Sequence, residues 1–256
     1  METSQRRVFF QEEAFQRAWS DPGPRRRWFG RVHPRPEALT EAAHFLAGAL
    51  VREDFHLFHN GGVPLLERRT GDLVEEIILR PAPHYDGLPY LPITVQLHLS
   101  HTRLATVRRQ YWRRGGLAPH VVATGNLGQL ELPPCWVIWH LGTDTQILRG
   151  LVDWTERLAI PWFGGFHHAI ELHGRLADGC VPLVRTDTAL ELMLAHYGAI
   201  EASVFLERSL RSERGLESAV MAEIQRIRAN RAPLGFEDDV VHNLAVVASS
   251  FKLLGS

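Results

Sequence analysis

The sequence predicts an α+β fold: an antiparallel sheet of four to six strands with helices on one face, and a helical C-terminal third. Three observations predict it. Ile93-Thr94-Val95-Gln96-Leu97-His98-Leu99-Ser100 alternates strictly, so an extended chain places Ile93, Val95, Leu97 and Leu99 on one face and the polar residues on the other. Asn60-Gly61-Gly62 lies between two apolar runs, which is a hairpin signal. Beyond Gly142 the apolar residues recur at helical rather than strand spacing. Strands first and helices afterwards give α+β rather than alternating α/β.

Each element has its own warrant. Ser4 to Trp19 carries Phe9, Phe15 and Trp19 among polar residues and reads as a helix broken by Asp21-Pro22-Gly23-Pro24. With the following Arg25-Arg26-Arg27 and Pro34 it makes an N-terminal helix and Pro/Arg-rich lead-in over 1–35. Pro36 suits the first turn of a helix to about Glu53, with Leu39, Ala43, Leu46, Leu50 and Val51 as its buried stripe. Phe55 to His59 and Val63 to Arg68 are the hairpin strands, and Pro64 marks the second as an edge or a late starter. Leu73–Arg80, ended by Pro81 and Pro83, is a further strand, as are Val121–Thr124 and Trp136–Leu141. Thr143 or Asp144 caps a helix to about Leu158, which Pro161 and Gly164-Gly165 interrupt. Helices follow over Phe166–Leu176, Ala189–Tyr197, Ala199–Arg211, Glu213–Arg228 and Glu237–Leu253. The sheet domain therefore spans 36–165 and the helical C-terminal region 166–256 packs on it, a length that one domain can also hold.

Composition excludes several chemistries. The 256 residues carry 28 Lys+Arg against 29 Asp+Glu, a formal charge of −1, which argues against a dedicated polyanion binder. Lys252 is the sole lysine, so the other basic residues are arginine. That removes the GxxxxGK[ST] phosphate loop and the strand lysine of protein kinases, and leaves only Lys252 for Schiff-base chemistry. Cys135 and Cys180 make neither a disulfide framework nor a CxxC pair. There is no GxSxG elbow. No apolar leader and no run approaching about 18 apolar residues occurs, so a cytoplasmic protein with no membrane partner is expected.

The 14 histidines invite a metal reading, which their spacing does not support. On a helix His168 and His173 fall about 140° apart and His167 and His173 about 120° apart, whereas the HExxH arrangement needs i, i+4. Neither a metal nor any other cofactor is expected. If a metal were held, the ligands to look for are His98 and His140 from a neighbouring strand, with His56 or His59. No carboxylate pair stands out: Glu75 and Glu76 alternate across a strand, and Asp238-Asp239 precede or cap a helix.

The sharpest local feature is charge. Between Asp86 and Glu131 no acidic residue occurs, while Arg103, Arg108, Arg109, Arg113 and Arg114 surround Tyr111 and Trp112. Arginines interleaved with aromatics can hold phosphates and stack bases, or pair with acids brought from elsewhere in the fold.

The element order, with Phe55-His56-Leu57-Phe58, Ile93–Ser100, Ala159-Ile160-Pro161-Trp162-Phe163 and Leu192-Met193-Leu194-Ala195-His196-Tyr197-Gly198, resembles an uncharacterised bacterial family, domain of unknown function forty-three-zero-four. The resemblance covers residues 36–212, and Arg103–Gln129 departs from the family pattern as an insertion. It implies a small sheet followed by a Pro-aromatic helix end and a helical tail, and it transfers no catalytic residue. The expected function is thus a non-enzymatic interaction or regulatory module. It would bind a macromolecular partner, another protein, through a sheet face or through Arg103, Arg108, Arg109, Tyr111, Trp112, Arg113 and Arg114. The alternatives are nucleic-acid or phosphate-ligand binding through the same patch, and an enzyme with a dispersed His/carboxylate site.

Overall fold

The computed structural model describes residues 36–82, 91–111, 120–141, 145–179, 181–230 and 239–254. The helix expected over Ser4–Trp19 and the Arg25–Arg27 run lie outside these residues. Helix α1 (Pro36–Ala49) tightens into a 3-10 turn over Leu50–Glu53. Strands β1 (His56–Asn60), β2 (Val63–Thr70), β3 (Leu73–Pro81) and β4 (Leu91–His101) follow, then helix α2 (Thr102–Arg109), β5 (Val121–Asn126) and β6 (Trp139–Leu141). The rest is helical: α3 (Thr145–Trp154), α4 (Ile160–Gly164), α5 (Ala169–Ala177), α6 (Thr186–Tyr197), α7 (Ala199–Ser212), α8 (Leu216–Asn230) and α9 (Val240–Phe251).

The fold is α+β, with an open antiparallel sheet ordered β1-β2-β3-β4-β5 and β6 paired to β4 at Leu91–Ile93. Gly61 and Gly62 close the first hairpin with φ of +57° and +85°. Two successive positive φ values make the tight turn whose twist matches the strands, and a side chain at either position would be strained. β1, not β2, is the edge of the sheet: β2 lies between β1 and β3 and takes Pro64 near its start, where a missing ladder donor is tolerated. The alternation over β4 is as expected, with Ile93, Val95, Leu97 and Leu99 fully buried on one face.

The chain divides into two compact units, 1–66 with 78–96 and 126–158, and 67–77 with 97–125 and 159–256. β2, β3 and β4 each contribute residues to both. In the first unit α1 buries Leu39, Ala43 and Leu46, the 3-10 turn after it buries Leu50, and α1 packs against β1, β6 and α3. Val51 is 65% exposed because it follows Leu50 and turns by about 100° or more off that stripe. Trp139 of β6 meets Trp154 of α3 edge-to-face at 5.6 Å. Asn126 and Gln129 form a reciprocal cap on a 3-10 turn, Leu127–Leu130. A Cβ on Gly128 within that turn would stand 2.6 Å from the Cys135 carbonyl oxygen, so only glycine fits.

Pro161 does not stop the helical path. Thr155–Ala159 winds as a π turn between α3 and α4, with the Thr155 hydroxyl donating to the Leu151 carbonyl at 2.7 Å. Proline removes one donor and crowds the carbonyl four residues back, and the wider turn moves that carbonyl aside.

In the second unit α6 is buried on every side from Asp187 to Met193 and α9 from His242 to Ala248. Helix α6 packs against α2, α5, α7 and α9, which is why its sequence lacks a clear polar face. Its two buried carboxylates, Asp187 and Glu191, are paired. The Asp187 carboxylate accepts from Arg185 at 3.0 Å, from the Thr188 amide at 2.9 Å and from Asn243 Nδ2 of α9 at 2.7 Å.

Candidate functional site

The arginine-aromatic stretch starts on α2 and is largely spent on the interior of the second unit. Arg108 is 2% exposed and donates from Nε and Nη2 to both oxygens of Glu191 on α6, the shortest contact being 2.7 Å, with Nη1 on the Val121 carbonyl at 3.1 Å. Tyr111 is equally buried and donates its hydroxyl to the same carboxylate. Burial pushes the Glu191 carboxyl upward and the Arg108 guanidinium pulls it back. Arg103 is exposed but engaged, with Nε 2.7 Å from Asp72 Oδ2 in the β2–β3 turn. Arg109 is exposed and bonds the Ala105 carbonyl one turn back. Trp112, Arg113 and Arg114 lie outside the described residues. Of the seven residues singled out from sequence, the fold brings Arg108 and Tyr111 together on one buried acid, and Arg109 is the one with an exposed, unpaired charge among those described.

His98 and His140 are not brought together. In the β4–β6 register His140 stands opposite Pro92, not opposite His98. His98 Nδ1 instead pairs with Glu76 on β3. The neighbouring Glu75 is fully buried on the opposite face, held by Arg68 Nε at 2.6 Å and His167 Nε2 at 2.5 Å. His173 pairs with Glu201, and His242 with Glu223. Each of these imidazoles meets its own carboxylate, and no group of three or more His, Cys, Asp or Glu placed to hold a metal occurs among the described residues.

A concave surface of the first unit lies elsewhere, between α1 and α3: an open groove of about 690 Å³. Phe45, Gly48 and Ala49 recur at helical spacing along α1, and Val152 faces them from α3. Phe45 is 42% exposed, and nothing stands within 4 Å of where a Gly48 side chain would begin. Arg149, Asp153 and Glu156, one helical face apart by four and three residues, supply the charged rim with His44 opposite. Sequence reading missed this groove. Its one signal was Phe45, a large apolar side chain immediately beside the Leu46 position of the buried stripe and off it. Comparison with known protein families, with curated proteins and with solved structures returns no match for the chain.

Proposed function

We propose that the protein is a non-enzymatic interaction module that receives an amphipathic helix of another protein in the α1–α3 groove. The observation that carries this reading is the half-exposed Phe45 ring beside the open space over Gly48. An aromatic anchor next to a small residue lets a partner helix approach closely and bury its apolar stripe. The rim offers one cation, Arg149, and two anions, Asp153 and Glu156, so the partner carries basic residues beside its stripe. The buried engagement of Arg108 and the Arg103–Asp72 pair favour this surface over the arginine stretch as the point of contact.

A displayed library of amphipathic helical peptides tests the proposal. Selected peptides share apolar residues at i, i+3 or i+4 and i+7 with flanking Arg or Lys. Their affinity falls at least about tenfold on Phe45→Asp and on Gly48→Phe, which fills the space. Ile200→Asp, an exposed change in the second unit, leaves it intact. Failure to enrich any such peptide, or affinity indifferent to Phe45 and Gly48, overturns it.

A further inference from the structure

The junction between β4 and α2 is closed by a histidine. His101 ends β4, and its Nδ1 accepts the Arg103 amide hydrogen at 3.1 Å, capping the first turn of α2. Asp, Asn, Ser and Thr cap with an oxygen that remains an acceptor at any ordinary pH. An imidazole nitrogen accepts only while it carries no proton. The cap therefore requires neutral His101 with its hydrogen on Nε2.

The surroundings oppose a charge there. His101 is 3% exposed and stacks edge-to-face on His196 of α6, ring centroids 4.7 Å apart. His196 Nε2 is itself buried and has no hydrogen-bond partner, and Tyr197 flanks His196 with its ring 5.7 Å away. The charged neighbours are Arg103 of α2 and Asp72 of the β2–β3 turn. Asp72 favours a cation there, but its carboxylate is shared with the Thr102 hydroxyl and the Arg103 guanidinium, both at 2.7 Å. The positive end of the α2 dipole and the half-buried His196 ring oppose a charge there. Burial first, then His196 and Arg103, hold His101 down to about 4 against the opposing pull of Asp72.

We infer that α2 carries a proton-labile cap: protonation of His101 at Nδ1 removes the acceptor that closes the helix and loosens α2 from α6. The proton adds to the Nδ1 lone pair and the Arg103 amide loses its partner. The loosened element is the one that holds Arg108 and Tyr111 against Glu191. Acidification thus acts first where the arginine-aromatic stretch is tied to the second unit. The inference is independent of the groove.

Amide hydrogen exchange of α2 in the full chain tests it, compared at pH 7 and near pH 4.5 after correction for intrinsic rates. Protection at Arg103 and Leu104 falls about five- to tenfold in the wild type, the worth of one cap. His101→Asn, whose amide oxygen accepts at both pH values, keeps its protection. Equal protection of the wild type at the two pH values, or the same loss in His101→Asn, overturns the inference. A measurement that needs no variant is the nitrogen NMR signature of the His101 ring: unprotonated Nδ1 at pH 7 is expected, and a protonated Nδ1 there is incompatible with the cap.

Discussion

Arg108 owes its importance to what it neutralises. Its guanidinium and the Tyr111 hydroxyl satisfy a carboxylate that α6 places out of reach of water. Removing one member of such a pair strands the other, which costs far more than the pair contributes on balance. Arg108→Ala should therefore lower unfolding free energy in urea by about 3–5 kcal/mol, whereas Arg109→Ala, exposed and bonded only to its own helix, stays within about 0.5 kcal/mol. Equal midpoints for the two variants would mean that the Glu191 site is solvated. His101 makes one contribution to the pH dependence of stability. Its folded-state value lies below the ordinary 6.5, at about 4, so the unfolded chain takes up the proton first as pH falls. Its contribution is complete above about 6.5 and is lost as pH drops towards 4. The full interval corresponds to at most about 3 kcal/mol, reduced by solvent screening. Melting curves from pH 7 to 4 check this, with the wild type falling more steeply than His101→Asn.

At the scale of elements, caps and close approaches do more than propensity. Asp239 caps α9 through the Val241 amide at 2.8 Å and the His242 amide at 3.3 Å, as the acidic pair at 238–239 suggested. Asp239→Ala should cost about 1 kcal/mol in chemical denaturation, and Asp239→Ser should recover most of it. Gly128 is stricter. Its Cβ position collides with the Cys135 carbonyl and with Val137, so Gly128→Ala forces backbone to move and should lower the melting temperature more than Gly48→Ala, whose side chain meets open space. The π turn before Pro161 explains why a sequence break became a continuous helical path. α5 shows the reverse case: helical periodicity from Phe166 becomes a helix only at Ala169, because the chain turns over Gly165–His167 and leaves His168 extended as its N-cap.

At the scale of the whole molecule, charge separates the readings. The formal charge is −1, and Arg103 and Arg108 are matched by Asp72 and Glu191. A labelled single-stranded oligonucleotide should show no saturable binding at about 50 mM salt, since Arg103 and Arg108 of the arginine stretch are already matched by carboxylates and release no counterions. Saturable binding that weakens steeply with added salt would instead favour nucleic-acid contact through Arg109 and the neighbouring residues 112–114. No helix among the described residues is long and apolar enough to cross a membrane.

The strands, their alternation, the Asn60-Gly61-Gly62 hairpin and most helices were legible in the sequence, because each depends on neighbours along the chain. Local order could not say which acid meets which arginine. Glu191 lies 83 residues from Arg108 and Asp72 lies 31 from Arg103, so the acid-free stretch looked uncompensated until tertiary packing supplied its partners. The same reason hid the groove and the His101–His196 contact: both join helices and strands whose spacing along the chain carries no trace of their meeting. Sequence determined which faces are apolar, and tertiary structure decided which of them, and which charges, remain open to water.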